Sequence, residues 1–190
     1  MNTTTTPRSR LAIRSLAVAV AAGVLPVAAA TSSAQAAPYC GIRWGSLAKS
    51  SSSMVQGPVT DVRAGRHTCY DRLVIDLRGR APGYTLKYVS NVYTEGQGAV
   101  VPLRGGARLL VVAKAPSYTS SGGTAFTPRN QAEVVDVTGY RTFRQVAWAG
   151  TFEGQTSLGV GVRARLPFRA FTLDGPGTGS RLVIDVAHRW

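Results

Sequence analysis

The sequence predicts an all-β domain, a sandwich or a barrel with short or no helices, and three observations predict it. Arg72-Leu73-Val74-Ile75-Asp76 recurs unchanged as Arg181-Leu182-Val183-Ile184-Asp185. From Pro58 onward, short runs rich in β-branched and aromatic residues alternate with Gly and Pro turn signals. No stretch carries apolar residues at helical spacing over four turns; only Gly45 to Val55 and Asn130 to Val135 leave room for a short helix.

The repeat defines two structurally equivalent strands. Successive side chains of a strand point to opposite faces. Leu73, Ile75 and Leu77 therefore share one face, with Arg72, Val74 and Asp76 on the other. In the second copy Leu182, Ile184 and Val186 oppose Arg181, Val183 and Asp185. The aliphatic set needs a core, which leaves an Arg and an Asp on an outer or edge face twice. Four residues along a strand span roughly 13 Å, so Arg72 and Asp76 cannot pair within their own strand. Any ion pair must run across strands.

The other elements follow in order. Val59 to Arg63 is a first strand, ended by Gly65, and Tyr70 to Arg78 a second, ended by Gly79 and Pro82-Gly83. Tyr84 to Tyr93 alternates until Gly96 and Gly98; Ala99 to Leu103 and Ala107 to Ala113 flank a Gly105-Gly106 turn. Pro116 to Arg129 is a long polar loop. Glu133 to Thr138 and Phe143 to Ala149 are further runs, and Phe152-Glu153-Gly154 closes on a turn. Thr156 to Leu166, Phe168 to Leu173 and Arg181 to Ala187 complete the set. Gly175 to Gly179 precedes a strand, not a helix, so it reads as a turn and not as a phosphate loop.

The first 36 residues read as an address. Arg8, Arg10 and Arg14 form a basic region, Leu16 to Ala30 an apolar one, and Ala34-Gln35-Ala36 a small-x-small cleavage site. Gly23 and Pro26 break the apolar run, which is short for a membrane span. Ser9 separates Arg8 from Arg10, so there is no twin-arginine pair, and Tyr39 is too large a neighbour for lipid attachment at Cys40. A secreted or cell-wall-associated location is expected. Residues 37–57, with the Ser50-Ser51-Ser52-Ser53 run, read as a flexible N-terminal arm, and residues 58–190 as one domain.

Composition narrows the partners. The chain carries a formal charge of +13, which falls to +10 when Arg8, Arg10 and Arg14 leave with the leader. Such a surface draws polyanions. Outside a cell these are anionic wall polymers, headgroups or acidic glycans, and not nucleic acid. The bland reading is an Arg-rich composition that no ligand selected. The chain has two cysteines, and in an exported protein they favour a Cys40–Cys69 disulfide. It would tie the N-terminus to the strand beginning near Tyr70, stabilising by roughly 3–4 kcal/mol on the chain-entropy reading.

Motifs for catalysis are weak. His67 and His188 are lone imidazoles, no serine sits in a Gly-x-Ser-x-Gly elbow, and no His-Glu-x-x-His occurs. Glu153 could act as an acid, but glycoside hydrolysis needs a second carboxylate at a set distance. Glu95, Asp136 and Asp174 have no context that singles them out. Neither His lies at ligand spacing from a Cys pair, so no metal site and no cofactor are expected. Trp44, Trp148, Tyr70, Tyr88 and Tyr93 could offer flat platforms to sugar rings, although core packing is the plainer use.

Tyr70 to Leu77, the Pro82-Gly83-Tyr84 turn, Phe152-Glu153-Gly154, Gly159-Val160-Gly161, Pro167-Phe168-Arg169 and the closing Arg181 to Val186 together resemble the AMIN-like domain of exported actinobacterial proteins. The resemblance runs from about Pro58 to the C-terminus. It extends, more distantly, to the AMIN domains beside cell-wall amidases and secretins. It implies a sandwich of two related sheets with a pseudo-twofold repeat and Arg and Asp strand motifs on outer faces. It also implies non-catalytic binding of peptidoglycan or an anionic wall polymer. Arg72, Asp76, Arg181, Asp185 and Tyr70 are then the expected ligand-binding residues. No amidase or secretin domain follows before Trp190, so targeting of a fused enzyme is not the expected role. Alternatives are a protein-binding module using a strand edge, a regulator of a cell-wall hydrolase, and a hydrolase itself.

Overall fold

The computed structural model describes residues 1–3 and 38–190; the expected leader and its cleavage site lie outside the described residues. Among the described residues eleven strands are formed: β1 (Lys49–Ser51), β2 (Val59–Arg66), β3 (Tyr70–Arg78), β4 (Tyr84–Val89), β5 (Val92–Tyr93), β6 (Val100–Val101), β7 (Ala107–Ala113), β8 (Phe143–Phe152), β9 (Gln155–Val162), β10 (Phe168–Asp174) and β11 (Gly179–Ala187). No helix occurs among the described residues. One sheet has the order β1-β4-β7-β9-β8 and the other β10-β11-β3-β2, with β5 and β6 forming a separate ribbon.

The two sheets close over one core, as the alternation requires. From the four-stranded sheet come Val62, Leu73, Ile75, Leu77, Phe168, Leu182, Ile184 and Val186. From the five-stranded sheet come Leu86, Leu109, Val111, Phe143, Val146, Leu158, Val160 and Val162. Every aliphatic residue assigned to the inner face of the repeat is at most 3% exposed. Burial of such side chains, at roughly 1.5–3 kcal/mol each, is the main force holding the sheets together. Tyr88 bridges the layers at one margin: its hydroxyl donates to the Leu166 carbonyl at 2.7 Å and accepts from the Leu166 amide at 3.1 Å. Burial pushes this phenol up to about 12, against the opposing effect of the Leu166 bond.

The repeated strands are neighbours in one sheet. They pair antiparallel, with Arg72 opposite Asp185, Val74 opposite Val183 and Asp76 opposite Arg181. The pseudo-twofold axis therefore passes between Val74 and Val183. It relates β3 to β11 and the flanking β2 to β10.

Gly159 and Gly161 of β9 face away from the core, where the β5–β6 ribbon presses on the sheet. A Cβ on Gly161 would meet the Arg104 carbonyl oxygen at 2.0 Å, and one on Gly159 would meet Leu103 at 2.7 Å. Their bareness lets Val92, Val101 and Leu103 bury against Ala147 and Ala149 as a second small core. The β8–β9 hairpin turns on Glu153 and Gly154, both at positive φ (47° and 76°), as a two-residue turn matching the strand twist requires.

Three expectations change. The serine run is not wholly loose: Lys49–Ser51 pairs with β4, Lys49 opposite Leu86 and Ser51 opposite Tyr84. Edge pairing asks only for backbone groups, and Lys at an edge is common. Glu133 to Thr138 is not a strand. One backbone bond, Val134 N to Val146 O, ties it to β8, and Trp148 N to Gln131 O ties the residues just before it. The Asn130 and Asp136 carboxamide and carboxylate oxygens accept from the amides two residues on, at 3.0 and 2.8 Å, which curls the chain into turns. Tyr84 to Tyr93 divides into β4 and β5 at Ser90-Asn91.

Candidate functional site

The outer face of the four-stranded sheet carries the repeated charges, and strand register decides which of them meet. One transverse row reads Gly65, Arg72, Asp185, Arg169 across β2, β3, β11 and β10; the row at the other end reads Asp61, Asp76, Arg181, Leu173. Between them lie Arg63, Val74, Val183 and Phe171.

In the first row Asp185 is the centre. Arg72 grips it with two donors, Nε to Oδ1 at 2.6 Å and Nη2 to Oδ2 at 2.9 Å. Arg169 closes from the other side, with Nε and Nη2 both 2.7 Å from Oδ2. The Asp185 side chain is wholly buried beneath these two guanidinium groups. That departs from the sequence reading, which left this carboxylate in water. The hydrogen bond to Asp185 raises the Arg72 pKa above its usual value against the opposing effect of burial. Two cations on one carboxylate leave a net positive row.

Aromatic rings frame the row. The Arg169 guanidinium lies 5.6, 5.5 and 5.0 Å from the rings of Trp44, Tyr70 and Phe171, and that of Arg72 lies 5.2 Å from Tyr70 and 5.6 Å from Phe171. Such contacts fix guanidinium orientation as well as stabilise it. Arg72 Nη2 also donates to the Tyr70 hydroxyl at 3.2 Å. His67 stacks on Tyr70 at 4.5 Å. Trp44 arrives on the N-terminal arm, which is held by the Cys40–Cys69 disulfide and by the Gly45–Phe168 bridge. Replacing both cysteines by Ser is expected to cost about 3–4 kcal/mol, since the bridge closes a 29-residue separation. Chemical unfolding with and without reductant measures it; equal midpoints would show that the bridge contributes nothing.

The second row is built differently. Asp76 pairs with Arg63, Nε to Oδ2 at 2.5 Å, on an exposed surface. Arg181, opposite Asp76 in register, instead donates through Nη2 to the Asp174 carbonyl at 3.2 Å, and its Nε is buried without a partner. Of the expected ligand-binding residues, Arg72, Asp185 and Tyr70 thus come together, while Asp76 and Arg181 lie at the other end of the sheet. Arg169, Arg63 and Phe171 were not singled out from the sequence. Arg169 stood in the Pro167-Phe168-Arg169 motif, but only the β10–β11 register puts it beside Asp185.

The remaining candidates disperse. Trp148 packs against Phe126 at 5.8 Å, Tyr88 is edge-on to Phe168, and Tyr93 is half exposed on β5. Glu153 sits exposed on the hairpin turn, and Glu95 accepts from Ser157 Oγ at 2.5 Å. His188 meets Asp71: its Nε2 lies 3.1 Å from Oδ1 in a buried pair. Among the described residues no group of three or more His, Cys, Asp and Glu is placed to hold a metal, and no helix is long and apolar enough to cross a membrane.

Fold and cluster together define a class: an antiparallel β-sandwich module that presents a cationic, aromatic-framed sheet face. The AMIN-like domain family matches residues 57–188, and the chain belongs to that family. Membership relates it to cell-wall modules. No curated protein and no solved structure matches the chain.

Proposed function

We propose that the protein is a secreted, non-catalytic cell-envelope protein that binds peptidoglycan or an anionic wall polymer on the outer face of the β10-β11-β3-β2 sheet. The observation that carries this reading is the Arg72–Asp185–Arg169 group. Each arginine turns Nε and Nη2 inward to one buried carboxylate, and neither Nη1 has a protein acceptor among the described residues. Those Nη1 groups are donors held in a fixed orientation, which suits carboxylate or phosphate oxygens on a polymer. The Trp44 and Tyr70 rings beside them add flat apolar surface of the kind sugar rings pack on. Export is supported by the leader-like first 36 residues and by the disulfide. The non-catalytic reading is supported by the place of Glu153 on an exposed hairpin turn and by the burial of the Asp71–His188 pair.

The protein is expected to sediment with isolated cell walls at low salt and to be released as salt rises. Arg72→Ala with Arg169→Ala is expected to weaken sedimentation at least about tenfold, the value of one charge-assisted hydrogen bond. Arg181→Ala, at the far end of the sheet, is expected to leave it within about twofold. No sedimentation at low salt removes the proposal; equal losses in all variants would point to bulk charge alone.

A further inference from the structure

A second cationic feature lies at the end of the sandwich, where the β2–β3 turn faces the loop before β8. The two enclose an open cleft of about 310 Å³, whose lining includes Arg66, His67, Asp71, Arg141 and His188. Neither Arg66 nor Arg141 takes part in any ion pair among the described residues. The Arg66 guanidinium stands over the Tyr140 ring at 5.9 Å, which holds it along the wall.

Asp71 lines the cleft but is fully engaged. Its Oδ2 accepts from the amides of Thr142 at 2.5 Å and Phe143 at 3.0 Å, and its Oδ1 faces His188 Nε2. It is 1% exposed and cannot swing out to neutralise the arginines. His188 is 9% exposed and lines the cleft beside Asp71. The cleft thus brings together two guanidinium groups that have no ion-pair partner among the described residues. An oxyanion suits such a pair: the planar fork of Arg matches two oxygens of a phosphate or a carboxylate. Gly139, on the loop wall at a φ of 76°, has no side chain to fill the space.

We propose that this cleft is an anion site that takes a phosphate or carboxylate group, held by Arg66 and Arg141 with the two imidazoles beside it. The site does not rest on wall binding by the outer face. It adjoins that face through the His67–Tyr70 stack, so a chain with repeated anionic groups could occupy both.

The test is a nuclear magnetic resonance titration of the folded protein with inorganic phosphate and, separately, with acetate, at constant ionic strength set by chloride. The His67 and His188 ring signals and the Gly139 amide are expected to shift saturably with at least one anion. Arg66→Ala with Arg141→Ala is expected to weaken that binding at least tenfold; both side chains are exposed, and an unchanged core methyl spectrum verifies the fold. Arg181→Ala is expected to bind as the unaltered protein does. Tighter binding of phosphate assigns the site to phosphate-bearing polymers, and tighter binding of acetate to peptide or sugar carboxylates. Shifts that never saturate with either anion, or that persist undiminished in the double variant, overturn the proposal. Failure of wall sedimentation leaves this ion titration unaffected, so the two readings fail separately.

Discussion

Asp185→Ala is expected to destabilise the protein by about 3–5 kcal/mol, the cost of leaving buried charge without its partner. Arg72 and Arg169 converge on this side chain from both sides, and with the carboxylate gone two guanidinium groups face one another over a vacated space. Asp185 accepts four close donor contacts and is 0% exposed, so water cannot readily replace it. Denaturant unfolding measures the loss. Asp185→Asn keeps the shape and one acceptor, and should fall between Ala and the unaltered protein. A triple replacement, Arg72→Met with Asp185→Leu and Arg169→Met, should recover most of the stability, because buried ion groups are often matched by apolar residues of similar volume. It should still abolish sedimentation with walls. That pairing separates scaffold from site: recovered stability with lost binding places the function in the charges. A cost below about 1 kcal/mol for Asp185→Ala would show that the row is freely hydrated, removing the preorganisation on which the proposed site depends.

Asp71→Ala is expected to cost a similar amount, about 3–5 kcal/mol, through a different mechanism. Asp71 shares the inner face of β3 with Leu73, Ile75 and Leu77, so a carboxylate points into the end of the core. It is tolerated because the Thr142 and Phe143 amides and His188 donate to it or meet it. Removing it orphans two backbone donors and a ring nitrogen, each worth about 1–3 kcal/mol when buried unpaired. Its contacts tie β3 to the start of β8 and to the residue after β11, so the damage should be local before it is global. Amide exchange at Thr142 and Phe143 should accelerate more than exchange at Leu158 in the core centre. Asp71→Asn should be milder, since one oxygen can still take the two amides. Unchanged protection at Thr142 and Phe143 in the Ala variant would contradict this account.

Much of the scaffold was legible. β3 and β7 span the stretches the alternation marked, and Leu73, Ile75, Leu182 and Ile184 face the core as the period of two requires. The Glu153-Gly154 turn, the long polar loop and the Cys40–Cys69 bridge were also readable, because turn chemistry is local and two cysteines allow one partner choice. The Glu133 to Thr138 stretch misled because Asn130 and Asp136 side chains bond nearby amides and curl a run of suitable composition.

The candidate site was half legible. A repeated Arg and Asp on one face announced cross-strand pairing, and that pairing exists between Arg72 and Asp185. Nothing local distinguished this pair from Asp76 and Arg181, which sit opposite one another by the same twofold and do not pair with each other. The difference comes from the flanking strands. β10 sets Arg169 beside Asp185, whereas β2 sets Asp61 beside Asp76 and sends Arg63 to it from the adjacent row. Trp44 reaches the face because the disulfide and the Gly45–Phe168 bridge hold its arm across it.

Composition and alternation therefore decided that this chain forms strands, where they turn, and which side chains seek the interior. Those properties depend on residues within a few positions of one another, where backbone geometry repeats every second residue. Strand order and register decided which charges meet, which carboxylate is sealed from water, and which arginines keep outward donors. They emerge from the packing of segments more than a hundred residues apart, as Arg72 and Asp185 are, and no short stretch of the chain encodes that choice.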